Sequence, residues 1–544
     1  MNTKVLIVGA GPVGLTLAVD LGQRGIDCIL VEQKEAPEFQ PKMERCNART
    51  MEIYRRMGLA DKIRAAGLRS DICMNVYIVL TLDQPPLIEF PFPSVDDARK
   101  EGETVNDGTL PLEPYQLISQ YTLEPLLKAE AEALPSVDVR YGCKFLSFTQ
   151  TDQSVSAEVQ YSDGRTEVLE SVYMVGCDGG SSNVRKQLDI KLRGDGNISQ
   201  LRQALFRCDD LFDSIPMGIG PGKGRHYHVA DGQSTFLIMQ DSTKHFTLHS
   251  QVESDEDMKT MFERTIAMPL DYEMINCNRW RQNLLLADRY RDDRVFLAGD
   301  AVHLVIPTGG LGMNTGVGDA TDLSWKLAAV LSGWGGSGLL DSYEVERHQI
   351  GDRNVGASRY ASNGRRKWRS LCGPQMFEQS PAGDGARANL TQIADVEQRK
   401  TNEMIGAELG YRYVQSPVIW EEPGGPEHLF RDYVPTSWPG ARLPHVRLDD
   451  GSAIQDALPR GYVLLCLNGT TDGGSDLAAA FAKTGAPFDT LAIDCQAAKD
   501  IYQRDFLLIR PDLHIVWRGN EPHQDADHLA SVAAGHRSIM DAIN

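Results

Sequence analysis

Glycines and acidic residues at the ends of apolar runs are the most informative feature of this sequence. A G-x-G-x-x-G motif lies between an apolar run over 4–8 and a helical pattern over 15–23, and it contains Gly9, Gly11, Pro12, Val13 and Gly14. A second apolar run over 28–31 ends at Glu32 and Gln33. A strand, a glycine turn, a helix, a second strand and an acid in this order predict a dinucleotide-binding unit.

Each part of this motif has a physical role in binding a dinucleotide. Gly9 permits the tight turn, Gly11 lets the backbone approach a pyrophosphate, and Gly14 lets the helix pack closely on the strand. The start of the helix stabilises phosphate charge, and Glu32 can accept hydrogen bonds from a ribose diol. The alternative is a glycine-rich surface turn, which the flanking strands and helix disfavour. The motif alone does not distinguish FAD from NAD.

Two more acids follow apolar runs further along the chain. Asp178 comes after the run over 173–176, and Asp300 follows the run over 295–298. Acids at the carboxyl ends of buried strands lie where open α/β sheets bind ligands, so Asp300 could hold a ribityl hydroxyl. The alternative for either acid is a helix N-cap. A turn precedes the helix predicted over 319–331, and the amides of this turn could face a flavin carbonyl. The turn contains Gly310, Gly312, Met313 and Asn314.

The overall composition limits the classes of protein to consider. The 544 residues carry a formal net charge of -20, and the chain has no basic excess to displace counterions from nucleic acid or to dock on anionic lipid. We therefore expect neither partner, and no apolar stretch is long enough to cross a bilayer. The ten cysteines include no C-x-x-C pair, which indicates reduced thiols in a cytoplasmic protein and no metal site.

Together, the motifs G-x-G-x-x-G, D-G and G-D resemble those of the single-component aromatic hydroxylases, the phenol hydroxylase-like family of FAD-dependent flavoprotein monooxygenases. The resemblance covers about residues 1–350 and depends on the order and spacing of the motifs. It implies that the protein binds FAD, takes a hydride from NAD(P)H, and reacts with O2. A flavin hydroperoxide would then transfer one oxygen to a small aromatic, phenolic substrate. Pro307 resembles a proline that lies beside the flavin in this family.

Four further site residues are implied by their positions in the family pattern. Gln120 matches a glutamine or arginine that contacts the flavin phosphate region, and Arg49 matches an arginine near the flavin. Glu44 resembles an acid that phenol hydroxylases use near the substrate hydroxyl, where a base makes the ring more nucleophilic. Arg45 departs from the family pattern and could contact the cofactor or an anionic substrate. The alternatives are a solvated loop acid for Glu44 and a helix-surface cation for Arg49.

The resemblance and the order of predicted elements imply an α/β fold with several units. A Rossmann-like FAD-binding domain of the glutathione-reductase type is expected over 1–75, 100–190 and 286–372. An antiparallel β-sheet substrate domain is expected over 76–99 and 191–285, and the sequence does not show whether its Tyr227, His228, Phe236 and Phe246 line a pocket or form core. A linker with little periodicity is expected over 373–440, before a thioredoxin-like domain over 441–544. That last domain lacks C-x-x-C, so we expect a structural or homodimerisation role.

Another function on the same fold stays open from the sequence alone. An FAD-dependent oxidoreductase or dehydrogenase without oxygen insertion would carry the same motifs. A Rossmann-type redox sensor and a flavin halogenase are disfavoured, because the glycines and acids are intact and no W-x-W-x-I-P motif is present. A phenol, a hydroxybenzoate, a pyridine and a polyketide all remain candidate substrates.

Overall fold

A computed structural model describes residues 3–217 and 223–539. The β-strands are β1 Thr3–Val8, β2 Cys28–Val31, β3 Arg45–Cys46, β4 Val76–Val79, β5 Ile88–Phe90, β6 Gln116–Leu117, β7 Val137–Arg140, β8 Cys143–Gln150, β9 Val155–Tyr161, β10 Thr166–Gly176, β11 Leu192–Arg207, β12 His226–Val229, β13 Phe236–Met239, β14 His245–Ser250, β15 Glu273–Ala287, β16 Arg291–Asp292, β17 Val295–Leu297, β18 His303–Leu304, β19 Tyr462–Cys466, β20 Phe488–Ala492, β21 Phe506–Ile509 and β22 Ile515–Gly519. The α-helices are α1 Pro12–Gln23, α2 Ala48–Arg56, α3 Ala60–Ala66, α4 Val95–Thr104, α5 Gln120–Glu132, α6 Asn183–Gln187, α7 Leu211–Ser214, α8 Asp255–Ile266, α9 Gly312–Leu331, α10 Ser337–Arg369, α11 Pro381–Asn402, α12 Ile405–Leu409, α13 Ile454–Ala457, α14 Ser475–Thr484, α15 Gln496–Tyr502 and α16 Ala526–Ala533. None of the helices in the described ranges combines the length and hydropathy needed to cross a membrane.

The first sheet contains five parallel strands in the order β17-β10-β1-β2-β7. Strand β1 is a short run of aliphatic, partly β-branched residues, and its residues 5–7 are fully buried, as expected for a strand inside a parallel sheet. The register pairs Val8 with Gly176 and Gly176 with Leu297. Strands β1, β10 and β17 therefore end side by side, and the three motifs that follow them meet at one edge of the sheet.

The second sheet has the order β18-β15-β11-β14-β13-β12-β4-β5. Its strand pairs are antiparallel except for β4 with β12, which are parallel. One face of this sheet contributes to an apolar core that includes Tyr77, Phe206, Tyr227 and Phe246. Because side chains alternate along a strand, the neighbouring residues on these strands face the opposite side.

The segment over 373–440, predicted as a linker with little periodicity, contains the 22-residue helix α11, so this prediction is wrong over that stretch. Leu390, Ala394 and Gln398 are buried at helical spacing. The amide of Gln398 accepts a hydrogen bond from Trp368 Nε1 (3.0 Å) and donates one to His228 Nε2 (3.2 Å), which ties α11 to α10 and to the second sheet. The buried stripe is short and partly polar, so it gives a weak hydropathy pattern, and a proline and two glycines lie in the first turns.

The third sheet has the order β20-β19-β21-β22 and lies in the C-terminal part of the chain. Strand β20 is parallel to β19, whereas β21 and β22 are antiparallel neighbours. Apolar side chains from α14 and α16 pack on one face, where Tyr462 lies against Trp325 of α9 with ring centroids 6.3 Å apart. A second apolar core, which includes Tyr502 of α15, also involves this sheet. Strands β19–β22 and helices α14–α16 are called the C-terminal unit below. This unit packs on α9 through a shared apolar core.

A buried cluster of charges reinforces this contact. Arg510 lies after β21, and its guanidinium contacts Glu346 Oε1 of α10 (2.7 Å), Asp322 Oδ1 of α9 (3.1 Å) and Asp512 Oδ1 (2.8 Å). Lys326 Nζ lies 2.8 Å from Asp322 and 2.7 Å from Glu346. All five side chains are almost completely buried. Charges removed from water in this way are tolerated only when each has its partners.

We predict that Arg510→Met lowers the free energy of unfolding by about 3–5 kcal/mol, because it leaves buried carboxylates without their arginine. Chemical denaturation followed by circular dichroism measures the change. The matched control is Lys483→Met, which removes an exposed ion pair with Asp527 in the same C-terminal unit and should leave stability nearly unchanged. Equal losses in the two variants would contradict the role given to the buried cluster.

Candidate active site

A cavity of about 740 Å³ lies between the first and second sheets. On the first sheet it borders the edge where the motifs after β1, β10 and β17 meet, and on the second sheet it borders one face. One end of the cavity is lined by the glycine motif, Glu32 and Asp178. Its far end is lined by side chains of β12, β13, β14 and β15, and the turn over 307–314 lies along the same wall. The cavity therefore brings together motifs that are far apart in the sequence.

Two glycines of the first motif hold the strand, turn and helix at close range. Gly9 has φ = +107°, and a Cβ there would lie 2.5 Å from the carbonyl oxygen of Cys177. A Cβ on Gly14 would lie 2.0 Å from the carbonyl oxygen of Gly9. A side chain at either position would force the backbone apart. Gly14 does not line the cavity; it sets the distance between α1 and β1.

Gly11 differs from these two because open space surrounds its Cα. A Cβ on Gly11 would meet only Glu124 Oε1, at 4.0 Å. Gly11 directly precedes α1, and Pro12 and Val13 of that helix also line the cavity. No side chain in the described ranges caps the start of α1, so its first amides remain available to an anionic ligand.

Glu32 holds the glycine turn in place. Its Oε2 accepts a hydrogen bond from the backbone N–H of Ala10 (2.9 Å), and its Oε1 accepts one from the N–H of Lys34 (3.0 Å). Each carboxylate oxygen can still accept a further hydrogen bond, for example from a ribose hydroxyl. Gln33 lines the cavity next to Glu32.

The two strand-end acids have different surroundings. Asp178 Oδ2 accepts hydrogen bonds from the backbone N–H groups of Asn183 (2.6 Å) and Val184 (3.2 Å), so this acid does help to cap α6. Asp300 lines the cavity, and its carboxylate accepts no hydrogen bond from the part of the chain that the structure describes. Burial raises the pKa of Asp300. A carboxylate without protein donors at a cavity wall is suited to bind ligand hydroxyl groups.

The turn over 307–314 is held by β3 and the start of α2. Arg45 Nη2 donates to the carbonyl oxygen of Gly309 (2.5 Å). Asn314 accepts a hydrogen bond from the N–H of Asn47 (2.9 Å) and donates one to the carbonyl oxygen of Gly310 (2.7 Å). These contacts fix the wall of the cavity that is formed by Pro307, Gly310, Gly312, Met313 and Asn314. Helix α9 also lacks a side-chain cap from any described residue, so its first amides are free to bind a ligand.

Glu44 lines the cavity and belongs to a buried charged group. Its Oε2 accepts a hydrogen bond from His226 Nε2 (2.8 Å), and Arg225 Nη1 lies 3.7 Å from its Oε1. Burial acts to raise the pKa of Glu44, but His226 and the neighbouring arginines outweigh it and hold the pKa well below its usual range. Burial lowers the pKa of His226 to about 4, so at neutral pH a neutral imidazole donates to an ionised carboxylate.

The far end of the cavity is formed by one face of the second sheet. Cross-strand pairing places His226 opposite Ile238 and Phe236 opposite His249. The rings of Phe236 and His249 stack with centroids 4.4 Å apart, and Trp280 meets His249 edge-on at 5.7 Å. Alternation along each strand groups these residues, but the sequence does not show which face is turned to the cavity. Of the residues considered from the sequence, Phe236 lines the cavity, whereas Tyr227, His228 and Phe246 are buried elsewhere.

The remaining predicted residues divide between two locations. Gln120 lines the cavity, and its Nε2 donates to Glu124 Oε1 (2.6 Å). Contrary to the prediction, Arg49 does not line it. Arg49 Nη2 donates to the carbonyl oxygen of Asp512 (3.1 Å), and Arg49 Nη1 lies 3.6 Å from Glu52. Helix α2 directs Arg49 towards the C-terminal unit, where it lines a separate cavity of about 260 Å³.

The groups around the large cavity suit a flavin dinucleotide. The open space at Gly11, the uncapped starts of α1 and α9, and the unpartnered Asp300 provide sites for phosphates, a ring carbonyl and a hydroxylated chain. In the described ranges, no group of three or more His, Cys, Asp or Glu residues could hold a metal ion.

Comparison with known proteins agrees with this geometry. Residues 2–358 match the family model described as FAD binding domain, and residues 436–536 match the model described as aromatic-ring hydroxylase, C-terminal. The chain is 31% identical to the FAD-dependent monooxygenase apdD of Emericella nidulans, over 98% of this chain and 90% of that relative. It is 30% identical to the 4-methyl-5-nitrocatechol 5-monooxygenase of a Burkholderia species, over 99% of this chain and 98% of that relative.

The fold also matches solved structures over nearly the whole length of the chain. Chromopyrrolic acid-soaked RebC with bound 7-carboxy-K252c superposes with a TM-score of 0.90 and 30% identity, over 98% of this chain and 99% of RebC. The monooxygenase relatives favour oxygen insertion over the alternative of an oxidoreductase without it. The family predicted from the sequence is confirmed: the chain belongs to the FAD-dependent aromatic-ring hydroxylases, a family of flavoprotein monooxygenases.

Proposed function

We propose that this enzyme uses FAD, NAD(P)H and O2 to add one oxygen atom to the phenolic ring of an aromatic small molecule. The observation that carries the proposal is the continuous cavity that joins the glycine motif to the aromatic face of the second sheet. A ring bound at the far end shares one enclosure with the cofactor. Such an enclosure orients the reactants and limits the access of water.

The bound flavin would supply hydride acceptance from NAD(P)H and the activation of O2, chemistry that no side chain provides. The uncapped amides at the start of α1 are proposed to bind its phosphates, and those at the start of α9 its ring carbonyl. The residues proposed to contact it are Gly9, Gly11, Pro12, Val13, Glu32, Gln33, Gln120, Asp178, Asp300, Pro307, Gly310, Gly312, Met313 and Asn314.

Glu44 is proposed to accept a hydrogen bond from the phenolic hydroxyl of the substrate through its Oε1. With a pKa well below its usual range, this carboxylate remains ionised at neutral pH and is too weak a base to remove the proton outright. A hydrogen bond to it still shifts electron density into the ring, which favours attack on an electrophilic oxygen. His226 orients the carboxylate through its bond to Oε2, and Arg45 is proposed as a positioning residue for the turn at Gly309.

The finer architecture is also a proposal. We assign the first sheet to a Rossmann-like FAD-binding domain and the second to a substrate domain, with helix α11 as its cover. The strand order of the third sheet, with apolar cores that include α14, α15 and α16, supports a thioredoxin-like domain. Its proposed role is to hold α9 and α10 in place or to form a homodimer. The ten free cysteines support a cytoplasmic location.

The role of the glycine turn is testable with one substitution. We predict that Gly11→Val folds normally but weakens FAD binding by about tenfold or more, because the side chain occupies space required by the phosphates. FAD content after purification and the Kd for added FAD measure the effect. Gly102→Val is the control, because a Cβ at Gly102 on α4 meets no atom within 4 Å. Equal FAD binding by both variants would show that Gly11 does not face the cofactor.

The role of Glu44 is testable in the holoenzyme. We predict that Glu44→Gln lowers kcat by about 10- to 100-fold, the loss expected for one hydrogen bond to a charged group, with FAD content unchanged. Steady-state kinetics with a phenol and with a nitrophenol already ionised at the assay pH separate the mechanisms. The loss should shrink for the ionised substrate, while Glu101→Gln, an exposed change on α4, leaves both rates intact. Equal losses with both substrates would rule out a role at the hydroxyl.

The reaction itself is tested by spectroscopy and isotope labelling. The purified protein should show flavin absorbance, and a phenol panel should contain members that accelerate NADH or NADPH oxidation. With ¹⁸O2, the product should gain one labelled oxygen. A protein that cannot be reconstituted with FAD would refute the proposal, and NAD(P)H oxidation without oxygenated product would return the choice to a dehydrogenase.

A further inference from the structure

An arginine of helix α10 reaches the far end of the cavity, where the substrate is proposed to bind, from outside the second sheet. Arg365 lies in the last turns of the 33-residue helix α10, and its side chain lines the cavity. The early part of this helix contacts the first sheet, where Tyr343 Oη donates to the carbonyl oxygen of Leu297 (2.7 Å). Its end packs on the second sheet through Trp368. Packing at both ends of α10 thus sets the position of Arg365.

The guanidinium of Arg365 has no partner of its own in the described part of the chain. Among the described residues, no carboxylate lies within 4.0 Å of it, and its Nε is buried without a hydrogen bond. Arg365 Cζ lies over the ring of Phe236, 5.1 Å from the ring centroid. Arg369, one turn later, shows the contrast, because its Nη2 donates to the carbonyl oxygen of Thr235 (3.0 Å). The N–H groups of Arg365 are therefore free because of where its side chain lies in the cavity.

The charged groups near Arg365 do not form an ion pair with it in the described part of the chain. Glu44 is already bonded to His226 and lies beside Arg225. Burial lowers the pKa of His226 to about 4 and that of His249 to about 3, so both imidazoles are neutral at neutral pH. Burial and Arg369 lower the pKa of Arg365 to about 9 against the attraction of Glu44, so Arg365 stays protonated at neutral pH. A partly desolvated cation without a counter-ion is costly unless a ligand supplies the negative charge.

We propose that Arg365 recognises a carboxylate on the aromatic substrate. The planar guanidinium fork matches the two oxygens of a carboxylate, and the adjacent Phe236, His249 and Trp280 rings provide aromatic contact for the ring that bears it. This inference rests on the proposed function, because it concerns the substrate of the same site. It narrows the substrate class to aromatic compounds that carry a phenolic hydroxyl and a carboxylate.

The test compares matched acidic and neutral ligands on FAD-loaded protein without NAD(P)H. The probes are 1-hydroxy-2-naphthoic acid and its carboxamide, and the change in flavin absorbance gives each Kd. We expect the wild-type protein to bind the acid at least about tenfold more tightly than the amide, as for a hydrogen bond between charged groups. Arg365→Gln should raise the Kd of the acid by at least about tenfold and leave that of the amide within about threefold.

Two further variants keep the test decisive. Arg366→Gln changes the next residue of α10, which is exposed and bonded to Asn363, and should retain the full preference for the acid. Arg365→Lys keeps the charge and should retain part of it. Equal binding of acid and amide by the wild-type protein, or equal weakening of both by Arg365→Gln, would overturn the proposal. Because no turnover is involved, a retained acid preference with no hydroxylated product would reject the proposed reaction and leave this assignment standing.

Discussion

The arrangement of the site depends on the carboxylate of Asp319. This residue is completely buried in α9, and its Oδ2 accepts hydrogen bonds from the N–H of Gly299 (3.0 Å) and from His303 Nε2 (2.8 Å). Its Oδ1 accepts one from Arg347 Nε (2.8 Å). Burial acts to raise the pKa of Asp319, but Arg347 and His303 outweigh it and keep the carboxylate ionised. A buried charge is stable only with these partners, so the end of β17, the second sheet and α10 are held at fixed separations.

Arg347 extends this network into the C-terminal part of the chain. Its Nη1 donates to Tyr413 Oη (2.9 Å), and its Nη2 donates to the carbonyl oxygen of Thr315 near the start of α9 (3.0 Å). The cluster around Arg510 then contacts the same two helices further along. Apolar packing is non-directional, whereas these polar contacts have defined geometry. The C-terminal unit, which has no redox motif, is thereby connected to the helix that begins at the cavity wall.

The far end of the cavity, where the substrate is proposed to bind, is built from elements of three different origins. The second sheet supplies an aromatic face, β3 and the loop before it supply Glu44 and Arg45, and α10 supplies Arg365. Glu44 is ionised and compensated, the histidines are neutral, and Arg365 is the charge left over. Under the roles proposed for Glu44 and Arg365, this distribution of charge separates the handling of the substrate hydroxyl from the recognition of the substrate carboxylate. Helix α11 contacts the end of α10 through the hydrogen bond from Trp368 Nε1 to Gln398.

The sequence by itself determined the local chemistry of the cofactor site. A turn at φ = +107° and a helix that approaches a strand closely require glycine, so Gly9 and Gly14 are recognisable without a structure. The order of the motifs was sufficient to predict the family. Only the tertiary structure decided which side chains face the cavity. Arg49, close to the motifs in sequence, points to the C-terminal unit, whereas Arg365, far from them, reaches the substrate end. Helix and strand periodicity define faces, but the packing of distant elements decides which face meets the ligand.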